Sequence, residues 1–162
     1  MKISIVYFSK TGTTKNMAEV IAEGVCFVEG IEVKLFDLDN IDLNYLQESK
    51  AVIFGTPTYM ANPCFQLVQW FNDNHKINLA GKLGAVFATA NYPQGGADTA
   101  ISSIINQLLV KGMLVYSSGG ALGQPFIHLG AVALRDRLDE GKNLFRIFGK
   151  RIAEKVVELF KK

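Results

Sequence analysis

Between Ser9 and Asn16 the chain reads Ser-Lys-Thr-Gly-Thr-Thr-Lys-Asn, with five hydroxyl or amide side chains, two lysines and one glycine. Ahead of it, Lys2–Phe8 is a short run of apolar, β-branched and aromatic residues, the composition of a buried strand. Behind it, Met17, Ala18, Ile21, Val25 and Val28 recur at helical spacing. A helix start carries unpaired backbone N–H groups and a partial positive charge, and Ser/Thr side chains add donors without bulk, which together make a seat for a phosphate. Ser and Thr also cap ordinary helices, so composition alone leaves plain capping open as well. The nucleotide-triphosphate pattern G-x-x-x-x-G-K-[ST] is absent, and so is the dinucleotide pattern G-x-G-x-x-G. What remains suits a terminal monophosphate held by neutral donors.

Two further stretches carry ring-binding chemistry. Gly55-Thr56-Pro57-Thr58-Tyr59-Met60-Ala61-Asn62-Pro63 offers an aromatic, a thioether and hydroxyls that could wall a flat heteroaromatic ring. A rigid proline-bounded turn with Tyr59 packed on the domain would explain the same residues. Thr89-Ala90-Asn91-Tyr92-Pro93-Gln94-Gly95-Gly96-Ala97-Asp98 has paired glycines that permit close backbone approach, and Asp98 to cap the next helix. A mobile surface loop is the plainer alternative there.

The elements that must position these loops follow from periodicity. Ile31–Phe36 alternates like a strand near a sheet edge, while Asp37–Glu48 reads as a short helix or structured loop. Ala51–Phe54 and Leu83–Ala88 are buried strands, and Met113–Tyr116 is a fifth, followed by a glycine-rich stretch from Gly119 to Gly130. One helix is expected to start near Asn62 or Pro63 and bury Leu67, Val68 and Phe71. A second carries Ile101, Ile104, Ile105 and Leu108 and ends at Gly112. A long final helix presents Leu144, Phe148, Ile152, Val156 and Phe160, so its aromatics are core. Five alternations of strand and helix predict an α/β fold: a five-stranded parallel sheet with helices on both faces, in one domain over residues 1–162. Ligands of such sheets sit outside the carboxyl ends of the strands where the strand order reverses, so residues 9–14, 55–62 and 89–98 should share one site.

Seventeen basic against fifteen acidic residues give a net charge of +2, spread along the chain. That is too even for a nucleic-acid surface, and it lacks the acidic excess expected of a carrier that docks on basic partners. No apolar run reaches the ~18 residues of a membrane span, and the chain starts directly in a strand, so a cytoplasmic protein is expected. Cys26 and Cys64, without a C-x-x-C, read as small core residues. His75 reads as a surface residue, and His128 as a candidate proton donor in the glycine-rich stretch. Lys111 reads as a cation near a helix C-terminus, with a neighbouring subunit's site as its other assignment.

Ser9-x-Thr11-Gly12-x-Thr14 after the first strand resembles the phosphate loop of the flavodoxin-like proteins, which hold flavin mononucleotide (FMN). Gly55–Thr58, the following aromatic and Asn62 resemble the quinone-reductase branch typified by the tryptophan-repressor-binding protein, as do Thr89 with Gly95-Gly96 and the pair Gly112-Met113. Ala61 stands where that branch carries a glycine, and Lys111 where it carries a histidine. The resemblance implies a flavodoxin-like three-layer sandwich with strand order 2-1-3-4-5. It implies that Ser9, Thr11, Gly12, Thr13 and Thr14 hold the FMN phosphate. Pro57, Thr58, Tyr59 and Met60 would flank the ring on one side, and Thr89, Ala90, Asn91, Tyr92, Gly95 and Gly96 on the other.

Two activities fit that resemblance. Carriers of single electrons need a backbone carbonyl to turn beside the ring, which positive φ makes cheap, yet residues 56–63 contain no glycine and no acid. The sequence therefore favours an NAD(P)H-dependent FMN oxidoreductase passing electrons to a quinone or similar small acceptor, with no side chain needed as acid or base. The alternative is a one-electron carrier between redox proteins. Assembly as a homodimer or higher homo-oligomer fits the first reading. A flavin-free signalling domain of the receiver type needs clustered acids at the ends of strands one and three, where Phe8-Ser9 and Phe54-Gly55 stand.

Overall fold

The structure is a computed structural model that describes residues 1–161. Its elements are β1 (Lys2–Tyr7), α1 (Thr13–Val25), β2 (Glu32–Asp37), α2 (Leu43–Glu48), β3 (Ala51–Tyr59), β4 (Asn62–Pro63), α3 (Phe65–Asp73), β5 (Leu83–Ala90), α4 (Ala97–Val110), β6 (Leu114–Val115), β7 (Ala131–Leu134) and α5 (Leu138–Phe160). The expected parallel core is present: β2 pairs β1, β1 pairs β3 and β3 pairs β5, each in parallel, with Ile3 opposite both Val33 and Ala51.

The side chains of the central strands alternate between two cores, as the pleat requires. Ile3, Ile5, Ile53 and Phe87 face the layer of α1 and α5, where they meet Met17, Ile21, Phe145, Phe148, Ile152 and Val156. Val6, Val52, Phe54 and Val86 face the other layer, against Leu67, Phe71, Ile101, Ile104 and Leu108. Because both faces are covered, the strands read as nearly continuous apolar runs. Each fully buried large apolar side chain contributes about 1.5–3 kcal/mol.

The contact between α1 and α5 is set by glycine. A Cβ on Gly149 would lie 2.1 Å from the Ile21 carbonyl oxygen, and one on Gly24 would lie 1.9 Å from that of Arg146. The two backbones therefore touch where any side chain would force them apart.

Several expectations are corrected. The fifth strand is divided: β6 and β7 both pair β5 in parallel, at Leu83↔Leu114 and Ala90↔Leu134, with residues 116–130 looping out between them. The spatial order β2-β1-β3-β5-β6 is the expected 2-1-3-4-5 with the short hairpin strand β4 added to the count, and the sheet has seven strands rather than five. Asn62 and Pro63 do not open a helix; they pair antiparallel with Tyr59 and Thr58 as β4, and α3 begins at Phe65. Asp98 does not cap α4 but sits in its first turn behind Gly96, where its charge suits the helix dipole. Cys64 is buried as expected, whereas Cys26 is exposed at the end of α1.

The loop 116–130 is tied down by Arg151 of α5. Its guanidinium donates to the Ser118 hydroxyl at 3.1 Å and to the carbonyls of Leu122, Gly123, Gln124 and Pro125 at 3.0–3.3 Å. No helix among the described residues is long and apolar enough to cross a membrane.

Candidate functional site

Three loops at the carboxyl ends of β1, β3 and β5 converge on one cleft of about 240 Å³. The first wall is Lys10, Thr11, Thr13 and Thr14; the second is Pro57, Thr58 and Tyr59; the third is Thr89, Ala90 and Asn91. Arg135, just beyond β7, completes the lining. Among the described residues, no carboxylate lines the cleft.

Loop one is built around the start of α1. Gly12 is its N-cap at φ 87°, a left-handed angle that suits glycine, and nothing lies within 4 Å of where its Cβ would be. The Ser9 hydroxyl accepts from the Lys15 N–H at 3.1 Å, which replaces the missing cap side chain and satisfies one donor of the first turn. The N–H groups of Thr13 and Thr14 belong to the first turn, which has no intrahelical acceptors. Thr11 and Thr13 hydroxyls lie 3.3 Å apart at the rim. The buried Thr14 hydroxyl meets that of Thr89 at 2.9 Å and locks loop one to loop three.

Loop two is a hairpin. Thr58 pairs Pro63 and Tyr59 pairs Asn62, leaving Met60 and Ala61 as a two-residue tip with φ of 49° and 61°. Positive φ at both positions is the type I′ pattern whose twist matches paired strands. The angles that the sequence reading reserved for glycine are therefore adopted without one. Asn62 donates to the Met60 carbonyl at 2.9 Å, and the Thr56 hydroxyl accepts from the Cys64 N–H at 2.9 Å at the hairpin base. Thr58 Oγ1, in the cleft wall, is buried with no hydrogen-bond partner. Such an oxygen is costly unless a ligand satisfies it.

Loop three touches loop two at its tip. A Cβ on Gly96, itself at φ 81°, would lie 2.4 Å from that of Ala61, so this contact requires glycine. The Gly95 N–H donates to the Tyr92 carbonyl at 3.0 Å and closes the turn.

The structure thus brings Thr11, Thr13, Thr14, Pro57, Thr58, Tyr59, Thr89, Ala90 and Asn91 to one lining. Ser9, Gly12, Gly95 and Gly96 shape its loops without lining it, and Met60 and Tyr92 stand outside, 93% and 71% exposed. Burial and the neighbouring Cys64 push the Tyr59 phenol up from its ordinary pKa, so at neutral pH it is an uncharged wall. Lys10 and Arg135 join the lining beyond the residues expected from sequence; Lys10 lies inside the Ser9–Asn16 motif, whereas no local pattern points to Arg135. His75 is exposed as expected, and His128 lies with Phe126 and Leu129 along a separate groove. The Lys111 ammonium donates to the carbonyl of Asn74, the residue ending α3, at 3.0 Å, and burial lowers its pKa. It sits beside Gly112, whose carbonyl accepts from Gly81 at the opposite end of β5 from the cleft.

Orphan donors and hydroxyls stand at one end of the cleft and a slot between two loops at the other, an arrangement that suits a flat ligand with a terminal anion. The chain is 51% identical over 160 residues to a flavodoxin of Clostridium saccharobutylicum, covering 99% of this chain and 100% of that one. It is 30% identical over 168 residues to an NAD(P)H dehydrogenase (quinone) of Solidesulfovibrio magneticus, covering 86% and 78%. A solved flavodoxin, WrbA-like protein from Agrobacterium tumefaciens superposes with a TM-score of 0.81 at 23% identity, over 97% and 98% of the two chains, a likeness of fold. With a family model described as Flavodoxin matching residues 5–123, the chain belongs to the flavodoxin family.

Proposed function

We propose that this protein binds FMN in the cleft and serves as a one-electron carrier between redox proteins. Bound there, FMN would supply the electron chemistry; the chain's residues bind, orient and shield. Thr11, Gly12, Thr13 and Thr14 would hold the phosphate with neutral donors, Thr58 Oγ1 would gain the partner it lacks, and Tyr59 would flank the ring. The observation that carries the carrier reading is the Met60–Ala61 tip. The loop lacks the glycine that a carrier's turning carbonyl usually needs, but both tip residues hold positive φ without one. The full-length likeness to a flavodoxin at 51% identity supports the same reading.

A second reading, an NAD(P)H:quinone oxidoreductase, draws on the 30% identical dehydrogenase and on the absence of acids around the cleft. FMN is common to both. The test is anaerobic reduction of FMN-loaded protein, first with NADH and NADPH, then stepwise with dithionite, following flavin absorbance. Indifference to both nucleotides with two resolved one-electron steps is the expected result. Prompt bleaching by a nucleotide, reversed by added quinone, overturns the carrier reading in favour of the reductase.

A further inference from the structure

The cleft has a fourth wall that no loop motif announces. β7 pairs the end of β5, with Thr89 opposite Ala133 and Ala90 opposite Leu134, and the chain then turns at Arg135 toward α5. The Thr14–Thr89 hydroxyl pair places the start of α1 against the strand that β7 borders. Arg135 therefore enters the cleft from the sheet edge and shares its lining with Thr11, Thr13 and Thr14.

Its charge is uncommitted. Among the described residues, Arg137 pairs with Asp136 and Arg146 with Glu23, and Arg151 is consumed by the loop 116–130, whereas Arg135 forms neither an ion pair nor a side-chain hydrogen bond. With no carboxylate of the described residues in the lining, its field is not cancelled locally. A planar guanidinium beside hydroxyls and first-turn N–H groups is matched to a tetrahedral dianion, which it can engage through two parallel hydrogen bonds.

We propose that Arg135 is a specificity-determining residue of the cleft: it engages the terminal phosphate and makes the site select the phosphorylated flavin over riboflavin. The inference rests on the FMN reading above and adds a planar, bidentate cation to a seat of hydroxyls and first-turn N–H groups whose other cation is Lys10. It also predicts a steeper salt dependence of FMN binding than Lys10 alone would give, because an exposed cation–phosphate contact weakens as ionic strength rises.

The test measures the dissociation constants of FMN and riboflavin by flavin fluorescence quenching, at low and high potassium chloride, for the native chain, Arg135→Gln and Arg135→Lys. Since Arg135 is exposed, the glutamine variant should fold, which thermal unfolding of the flavin-free protein checks. The expected result is a roughly tenfold loss of FMN affinity in Arg135→Gln, the order of one charge-assisted contact. Riboflavin affinity should be unchanged, the salt dependence of FMN binding shallower, and Arg135→Lys intermediate. Unchanged FMN affinity and salt dependence in Arg135→Gln overturn the inference while leaving the FMN reading intact. Equal losses for FMN and riboflavin overturn it too, since they mark a structural role. A native chain that quenches neither flavin overturns the FMN reading and this inference with it.

Discussion

Replacing Thr13 by glutamate should move stability and cofactor affinity in opposite directions. Thr13 is the first residue of α1, half-buried at the cleft, and the first turn contains no acid. A carboxylate there faces the positive end of the helix dipole, worth about 0.3–1 kcal/mol of folding stability. For a chain of this size that raises Tm by roughly 1–3 °C. The same carboxylate would face a phosphate seated on the first turn. At an effective dielectric of ~20, one pair of like charges about 5 Å apart costs about 3 kcal/mol. Solvent and salt cut this to about two-thirds of its value in an open cleft, so FMN affinity should fall on the order of thirtyfold. The hydroxyl contact with Thr11, 3.3 Å long and exposed, contributes little to either quantity. The assay pairs thermal unfolding of the flavin-free Thr13→Glu protein with fluorescence titration of FMN and riboflavin. Stability up, FMN affinity down and riboflavin affinity nearly unchanged is the expected triad. FMN binding at native strength would refute the placement of the phosphate at α1, and a lowered Tm would refute the helix-dipole argument.

Gly149→Ala should destabilise the fold by about 2–4 kcal/mol in urea unfolding, because its Cβ would sit 2.1 Å from the Ile21 carbonyl and α1 and α5 cannot part without opening a core. Tyr45 shapes the alkaline limb of stability: burial, then the Glu32 charge, push its phenol from 10.0 up to about 12. The folded state keeps that proton longer than the unfolded chain, so stability is intact below pH 10 and falls by at most ~1.4 kcal/mol per pH unit as pH rises toward 12. Tyr45→Phe should flatten that limb in unfolding measurements across pH 9–11; an unchanged slope would refute the assignment.

Much of the architecture is legible in the chain because local patterns and tertiary demands coincide. Ile3, Ile5, Ile53 and Phe87 lie on strands buried on both faces, so continuous apolar runs announce them wherever they pair. The motif at Ser9–Thr14 marks a strand-to-helix turn through its own composition, and the alternation of elements places the three loops at one end of the sheet. Chain order alone sufficed for that.

Other features exist only through contacts distant in sequence. Ala131–Leu134 has too few residues to carry a periodic signal, and it is a strand because β5 offers it a partner; Arg135 reaches the cleft only as a consequence. Asn62-Pro63 has the composition of a helix start, yet pairing with Thr58 and Tyr59 makes it a strand. Ala61 lacks the residue type that advertises positive φ, and the hairpin imposes that angle on it. Cys26 shows the same limit from the other side: its apolar type suggests the core, but its position one residue past α1 turns it outward. Local sequence writes the elements and the loops between them, whereas strand pairing and helix packing choose which side chains finally face the ligand.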